Sequence, residues 1–256
     1  MTNPIKARLA QGETLAGVWL NLASATTAEI VGEAGYDWCL VDGEHGANPI
    51  DRMRDQLIAL KAAGCPAALR VAENRAWMVK QALDAGAQTV VVPMVSTGEE
   101  ARAAAAAMRY PPQGIRGMGA GVVRASGYGL NPDYMFKAND EVCLMVQAET
   151  RAAVDNIDAI AATPGVDAVF IGPSDLAADM GHMGDTTAPE VEEAIAHVMA
   201  RTQAAGKHVG MFCLTPAHLP RYRDLGARFI AVASDVVVFA SAIRARATEV
   251  REALKS

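Results

Sequence analysis

A short phrase repeats along the chain: a helix-like stretch, a small residue, a glycine, one or two linking residues, then a brief apolar run. It occurs as Glu33-Ala34-Gly35 before residues 38–41, as Ala62-Ala63-Gly64 before 67–69, and as Asp84-Ala85-Gly86 before Thr89–Val92. It returns as Thr163-Pro164-Gly165 before Ala168–Ile171, Ala204-Ala205-Gly206 before His208–Phe212, and Asp224-Leu225-Gly226 before 229–233. The apolar runs show no clean alternation, as expected for strands covered on both faces. A glycine just past a helix end adopts the left-handed cap conformation at little cost. The phrase therefore predicts helix, stop and strand, six times over. The runs Leu15–Leu20 and 142–148 bring the strands to eight.

Helix–strand alternation on this scale implies a parallel sheet. Eight units in 256 residues imply a closed (β/α)8 TIM barrel, a single α/β domain over residues 1–256. A doubly wound open sheet is the rival, but it wants a glycine-rich turn after the first strand. Trp19-Leu20-Asn21-Leu22-Ala23-Ser24 offers none. Between the strands, 50–63, Gly98–Met108 and 189–205 carry helical spacing, good helix formers or a Pro-then-Glu helix start. The last helix, 236–254, opens Val236-Val237-Val238-Phe239, an apolar start that fits packing on a partner subunit. Residues 109–140 interrupt the alternation and are rich in Pro, Gly and Arg. Long loops of this kind are often functional lids. This one falls between the fourth and fifth strands and is expected to cover the catalytic face. Its Arg116 and Arg124 would either meet an anionic substrate or pin the loop.

Composition narrows the class of function. The net charge is −6 and no basic stripe stands out, which argues against nucleic acid. No run approaches the roughly 18 apolar residues of a membrane helix. The start, Met-Thr-Asn-Pro-Ile-Lys, lacks a secretory signal, and Cys39, Cys65, Cys143 and Cys213 form no CxxC. Reduced, buried thiols in a cytoplasmic protein are expected.

Catalytic groups of such barrels lie at the C-terminal strand ends. Trp19 and Asn21 end the first strand, and Asp42-Gly43-Glu44-His45-Gly46 follow the second. Arg70 ends the third, Gln147 and Glu149 the fifth, Ser174 and Asp175 follow the sixth, and Phe212 ends the seventh. Glu149 and Asp175 could each simply cap a helix. As a pair on neighbouring parallel strands they make a hard-oxygen site for a divalent cation such as Mg²⁺ or Mn²⁺. His45 is placed to exchange a proton. Arg70 would either balance a carboxylate such as Asp42 or face developing enolate charge. The six lysines all avoid the catalytic ends, so a Schiff-base nucleophile is missing. The turns after strands seven and eight lack the glycines of a phosphate cup.

The stretches Val41-Asp42-Gly43-Glu44-His45, Arg70-Val71, Val91-Val92-Pro93-Met94-Val95 and Tyr110-Pro111-Pro112-Gln113-Gly114-Ile115-Arg116-Gly117 carry a resemblance. It continues through Val146-Gln147-Ala148-Glu149-Thr150-Arg151 and Phe170-Ile171-Gly172-Pro173-Ser174-Asp175-Leu176. In this order they resemble the metal-dependent pyruvate aldolases of the HpcH/HpaI family, which includes enzymes of the 4-hydroxy-2-oxoheptanedioate type. The resemblance implies aldol addition and cleavage between an aldehyde and a 2-oxo acid, pyruvate or hydroxypyruvate. It implies Glu149 and Asp175 as ligands of Mg²⁺, Mn²⁺ or Co²⁺, with no organic cofactor. His45 is then the acid–base residue acting through water, and Arg70 the enolate stabiliser. Gln147, Ser174 and Asp175 then line the oxo acid; apart from the resemblance, the strand-end positions of Trp19 and Phe212 place them at the substrate pocket, where Phe212 narrows the seventh-strand mouth. Asp84 supports His45. Its place before the fourth strand puts it at the wrong end of its own barrel, so a neighbouring subunit would supply it. The resemblance also implies a homohexamer of dimers that exchange their last helix. Ser174 departs from the alanine frequent in the family and could bias the choice of oxo acid. An acyl-CoA lyase of citrate-lyase type on the same metal site is the alternative reading, and a catalytically silent barrel that binds a 2-oxo acid is a third.

Overall fold

The computed structural model describes residues 2–255. Eight parallel strands close into a barrel in sequence order. They are β1 Leu15–Leu20, β2 Trp38–Asp42, β3 Ala67–Arg70, β4 Thr89–Val92, β5 Cys143–Ala148, β6 Ala168–Ile171, β7 His208–Phe212 and β8 Ala227–Ser234. Helices α1 Pro4–Ala10, α2 Ala25–Gly32, α3 Ile50–Ala62, α4 Ala76–Asp84, α5 Gly98–Met108 and α6 Tyr134–Glu141 belong to the first half. The second half carries α7 Arg151–Asp155, α8 Ile157–Ala161, α9 Pro173–Asp179, α10 Pro189–Ala204, α11 Leu219–Asp224 and α12 Asp235–Ala253. The eight-stranded barrel expected from the repeated phrase is thus present. All six glycines of that phrase have φ between +70° and +106°, the left-handed region in which a Cβ is costly.

Two apolar layers hold the fold. The outer one lies between strands and helices and includes Leu60, Val79, Ala104, Ile160 and Val198. The inner one fills the barrel: Trp38 stacks on Phe229 at 3.8 Å, Phe170 meets Phe229 edge-on, and Ile5 and Leu9 of α1 plug the N-terminal mouth. Gly17 makes room for this packing, since a side chain there would overlap the Trp38 indole. A filled interior leaves the C-terminal mouth as the place for a ligand.

Residues 109–140 do not cover that mouth in this chain, contrary to the expectation. Fully buried Arg116 donates from Nη2 to Asp84 Oδ1 at 2.8 Å and to the Tyr134 hydroxyl at 3.1 Å. Arg124 donates to the Ala85 carbonyl at 2.8 Å and the Leu57 carbonyl at 3.4 Å. Asp84 and Ala85 close α4 just before β4, so these bonds draw the segment to the barrel's N-terminal side. Both arginines pin the loop, and α6 gives part of it regular structure.

The last helix stands apart from its own barrel. Beyond Asp235 nearly every residue of α12 is exposed, including Val237, Phe239 and Ile243. Val236 to Phe239 thus leave an apolar start on the helix that its own barrel does not bury.

Candidate active site

The C-terminal mouth holds a cavity of about 420 Å³ lined by Trp19, Asp42, His45, Arg70, Gln147, Ser174, Asp175 and Phe212. All eight stand at strand ends in the sequence reading. Glu149 lies beneath them, 2% exposed.

The site grows from β2 and β3. Asp42 and Arg70 occupy the same register position on the two strands. Arg70 donates from Nε and Nη2 to the two oxygens of Asp42, at 2.9 and 2.8 Å, a bidentate pair that is almost wholly buried. Its Nη1 reaches Gln147 Oε1 at 3.3 Å and Glu44 Oε2 at 2.5 Å. Its guanidinium lies 4.1 Å from the centre of the Trp19 ring. Asp42 Oδ1 also accepts from the Glu44 N–H at 3.0 Å, and Oδ2 from Asn21 Nδ2 at 2.6 Å. The 42–45 turn, and with it His45, is therefore built on the Asp42 carboxylate. Buried Asn48 secures it further by donating to the Asp42 carbonyl at 2.9 Å.

Glu149 follows β5. Its Oε1 accepts from the Met94 N–H at 2.7 Å and its Oε2 from Gln147 Nε2 at 2.8 Å. Met94 presents that N–H from a positive φ of 54°. Burial pushes the Glu149 carboxyl up to about 7; the Met94 N–H and Arg70 lower it, and the charges of Glu44 and Asp175 raise it. Glu44 is raised as well, chiefly by burial, with Arg70 opposing. A side chain at Gly172 would overlap Glu149 Oε2, so the carboxylate sits directly under the turn that carries Asp175.

The capping alternative fails for both acids. The cap of α7 is Thr150, whose side chain accepts from the Ala153 N–H, and α9 has no side-chain cap bond, Asp175 lying in its first turn. What remains is a crowd of carboxylates, Glu149, Asp175 and Glu44, at one end of the barrel. Among the described residues no three His, Cys, Asp or Glu side chains form a ready metal cage. A cation there would take two carboxylate oxygens from the chain and complete its shell with ligand and water oxygens, which suits hard cations that keep waters. The residues fit such an ion.

Asp84 does not join this group. It closes α4 at the opposite end of the barrel, held by Arg116, with about a quarter of its side chain exposed. Sequence reasoning treated Asp42 only as a counter-charge and missed its role as the hub of the turn. Asp42 closes a fully buried strand beside an arginine, which was the available signal. The Met94 N–H carried none, because a backbone donor leaves no mark in residue identity.

Comparison with known proteins identifies the family. The profile of the family described as HpcH/HpaI aldolase/citrate lyase matches residues 15–242. A hydroxypyruvate/pyruvate aldolase of Roseovarius nubinhibens is 49% identical over 243 residues, 95% of each chain. A 2-keto-3-deoxy-L-rhamnonate aldolase of Klebsiella pneumoniae is 44% identical over 96% of this chain and 92% of its own. The crystal structure of an HpcH/HpaI aldolase/citrate lyase family protein from Burkholderia cenocepacia superposes with a TM-score of 0.93 at 43% identity, covering 98% of this chain and all of the other.

Proposed function

The chain belongs to the HpcH/HpaI aldolase/citrate lyase family and is an aldolase, a carbon–carbon lyase, and from that premise we propose a divalent-cation-dependent reaction between a 2-oxo acid and an aldehyde. The donor is pyruvate or hydroxypyruvate, and the reverse direction cleaves 4-hydroxy-2-oxo acids. The observation that carries this reading is the placement of Asp175, Arg70 and His45 around one cavity, with buried Glu149 directly behind Gln147 and Gly172 of its wall.

Glu149 and Asp175 would hold the cation, which when bound supplies Lewis-acid polarisation of the keto group. Arg70 is fixed by Asp42 and presents Nη1 to the oxygen that gains charge as the enolate forms. A preorganised cation at such a point needs no reorganisation during the reaction. His45 accepts and returns the proton of the aldol hydroxyl. Gln147 orients both Arg70 and Glu149. Trp19 and Phe212, whose rings meet edge-on at 5.2 Å, wall the cavity and keep water from the carbanion. Ser174 lines the same cavity, and its hydroxyl would bias the site toward a donor that carries its own hydroxyl.

Asp84 supports His45 from a neighbouring copy, since it lies at the far end of its own barrel. The bare apolar side of α12 packs on a second copy, in keeping with a homohexamer of dimers. An acyl-CoA lyase has weaker support, because the relatives at 44–49% identity carry aldolase names.

The experiment follows pyruvate release from a 4-hydroxy-2-oxo acid with and without EDTA. Loss of turnover on chelation, with recovery on adding Mg²⁺, Mn²⁺ or Co²⁺, is the expected result. Turnover that ignores EDTA and is trapped by borohydride would mean an imine and would overturn the reading.

A further inference from the structure

Away from the catalytic mouth, two of the four cysteines lie together. Cys39 Sγ and Cys65 Sγ are 3.7 Å apart, although the residues are 26 positions apart in sequence. Cys39 is in β2 and fully buried; Cys65 is in the turn between α3 and β3 and 7% exposed. The other two thiols are placed differently. Cys143 is sealed inside the barrel, and Cys213 donates to the Thr215 carbonyl at 3.4 Å.

Access comes from the barrel's N-terminal end. A cavity of about 470 Å³ opens there, and Cys65 forms part of its wall with Ile5, Leu57, Gly64, Pro66 and Arg124. Cys65 and not Cys39 borders this cavity, so an oxidant entering there meets Cys65 first. The turn that carries Cys65 has a left-handed glycine, Gly64, at φ 72°. A disulfide needs the sulfurs at about 2.05 Å, so the pair must close by less than 2 Å. One turn beside a glycine can supply that movement while the strands stay in register.

We propose that Cys39 and Cys65 form a thiol modification site at the N-terminal mouth, which hydrogen peroxide converts to an intramolecular disulfide. The Cys65 sulfur attacks a peroxide oxygen, the O–O bond breaks and water leaves, giving a sulfenic acid on Cys65. The Cys39 sulfur then displaces that hydroxyl as a second water. Two electrons pass from the sulfurs to the peroxide, and the two thiol protons leave in the waters. The Cys65 thiol points its proton at Cys39 Sγ, 3.7 Å away, and Cys65 is the one of the two that borders the cavity, which suits it to react first. The ring closed by this bond protects Cys65, because a sulfenic acid without a neighbouring thiol proceeds irreversibly to sulfinic acid. The link joins the beginnings of β2 and β3, while Asp42 and Arg70 stand at their other ends, so the catalytic mouth is untouched.

The test exposes the full-length protein to hydrogen peroxide and counts thiols after denaturation, with peptide mass mapping. The expected result is loss of two of the four thiols and one linked peptide joining residues 39 and 65, lighter by two hydrogens and restored by dithiothreitol. Aldolase activity should stay within about twofold of the reduced protein. In Cys39→Ser the same dose should leave no linked peptide and should add two oxygens to Cys65, irreversibly. Four intact thiols, a link between other cysteines or between molecules, or sulfinic acid on Cys65 in the unaltered protein would each overturn the assignment. Loss of activity in step with the link would overturn its protective role.

Discussion

Gln147 lies between a cation and an anion: its amide oxygen accepts from Arg70, and its nitrogen donates to Glu149 Oε2 at 2.8 Å. This fixes the orientation of the amide and ties Arg70 to Glu149. Gln147→Ala should lower kcat/KM about a hundredfold, close to 2.7 kcal/mol of barrier. Gln147→Glu should do worse, since it sets a further negative charge against Glu149. Steady-state kinetics on the two variants checks the order, and equal activity in both would remove the amide from the mechanism.

Glu149 and Asp175 should govern ligand-induced stability. At about a hundredfold excess of Mn²⁺ over its dissociation constant, the folded state gains about 2.7 kcal/mol. A thermal scan of Glu149→Gln or Asp175→Asn with and without Mn²⁺ should show no gain. A full shift in either variant would place the ion elsewhere.

Arg70→Lys keeps the charge but loses the fork that grips both oxygens of Asp42. Its kcat should fall about a hundredfold or more, with a smaller change in KM, because enolate charge appears only after binding. A variant that changes KM alone would make Arg70 a simple substrate anchor.

Supply of Asp84 by a neighbour predicts complementation. His45→Ala and Asp84→Ala should each be nearly inactive alone. Mixed before reassembly, they should regain part of the activity, since some sites then hold an intact His45 and an intact Asp84. Absence of any gain in mixed assemblies would refute the shared site. In the same spirit, Phe239→Asp on the bare side of α12 should lower the mass seen by light scattering, whereas an unchanged mass would free that face from assembly.

Stability should also carry an acid-side signature. Burial holds the His208 imidazole below its ordinary value, with Asp167 opposing. The unfolded chain then binds more protons than the folded one as pH drops past the ordinary histidine value of about 6.5. The His208 contribution is complete above that value and drains away as pH falls through it toward the lower folded value. His208→Gln should flatten the fall in urea midpoint between about pH 7 and pH 5. A slope that survives the substitution would assign the effect to other groups.

The sequence was most informative where periodicity and punctuation agree. The six glycine stops predicted six strand starts because a left-handed residue can be read from its identity, and Gly35 and Gly226 adopt that conformation. His45, Arg70, Gln147 and Asp175 could be found because a parallel barrel puts strand ends on one rim. The resting place of residues 109–140 could not. Arg124 bonds to carbonyls of Ala85 and Leu57, and any residue presents a carbonyl. The centrality of Asp42 was hidden for a related reason: it gathers backbone N–H groups from its own turn, and these have no letter in the sequence.

From Ser234 through Asn21, Asp42, Arg70, Gln147 and Glu149 to the Met94 N–H, hydrogen bonds run in an unbroken arc around the rim. Every member leans on the next, so an exchange at one unsettles its neighbours along the arc. Ser174, Phe212 and Leu214 face the same hollow without belonging to the arc. Under the proposed reaction, a different aldehyde or donor is therefore most readily accommodated by altering this outer fringe, with the arc left as it stands.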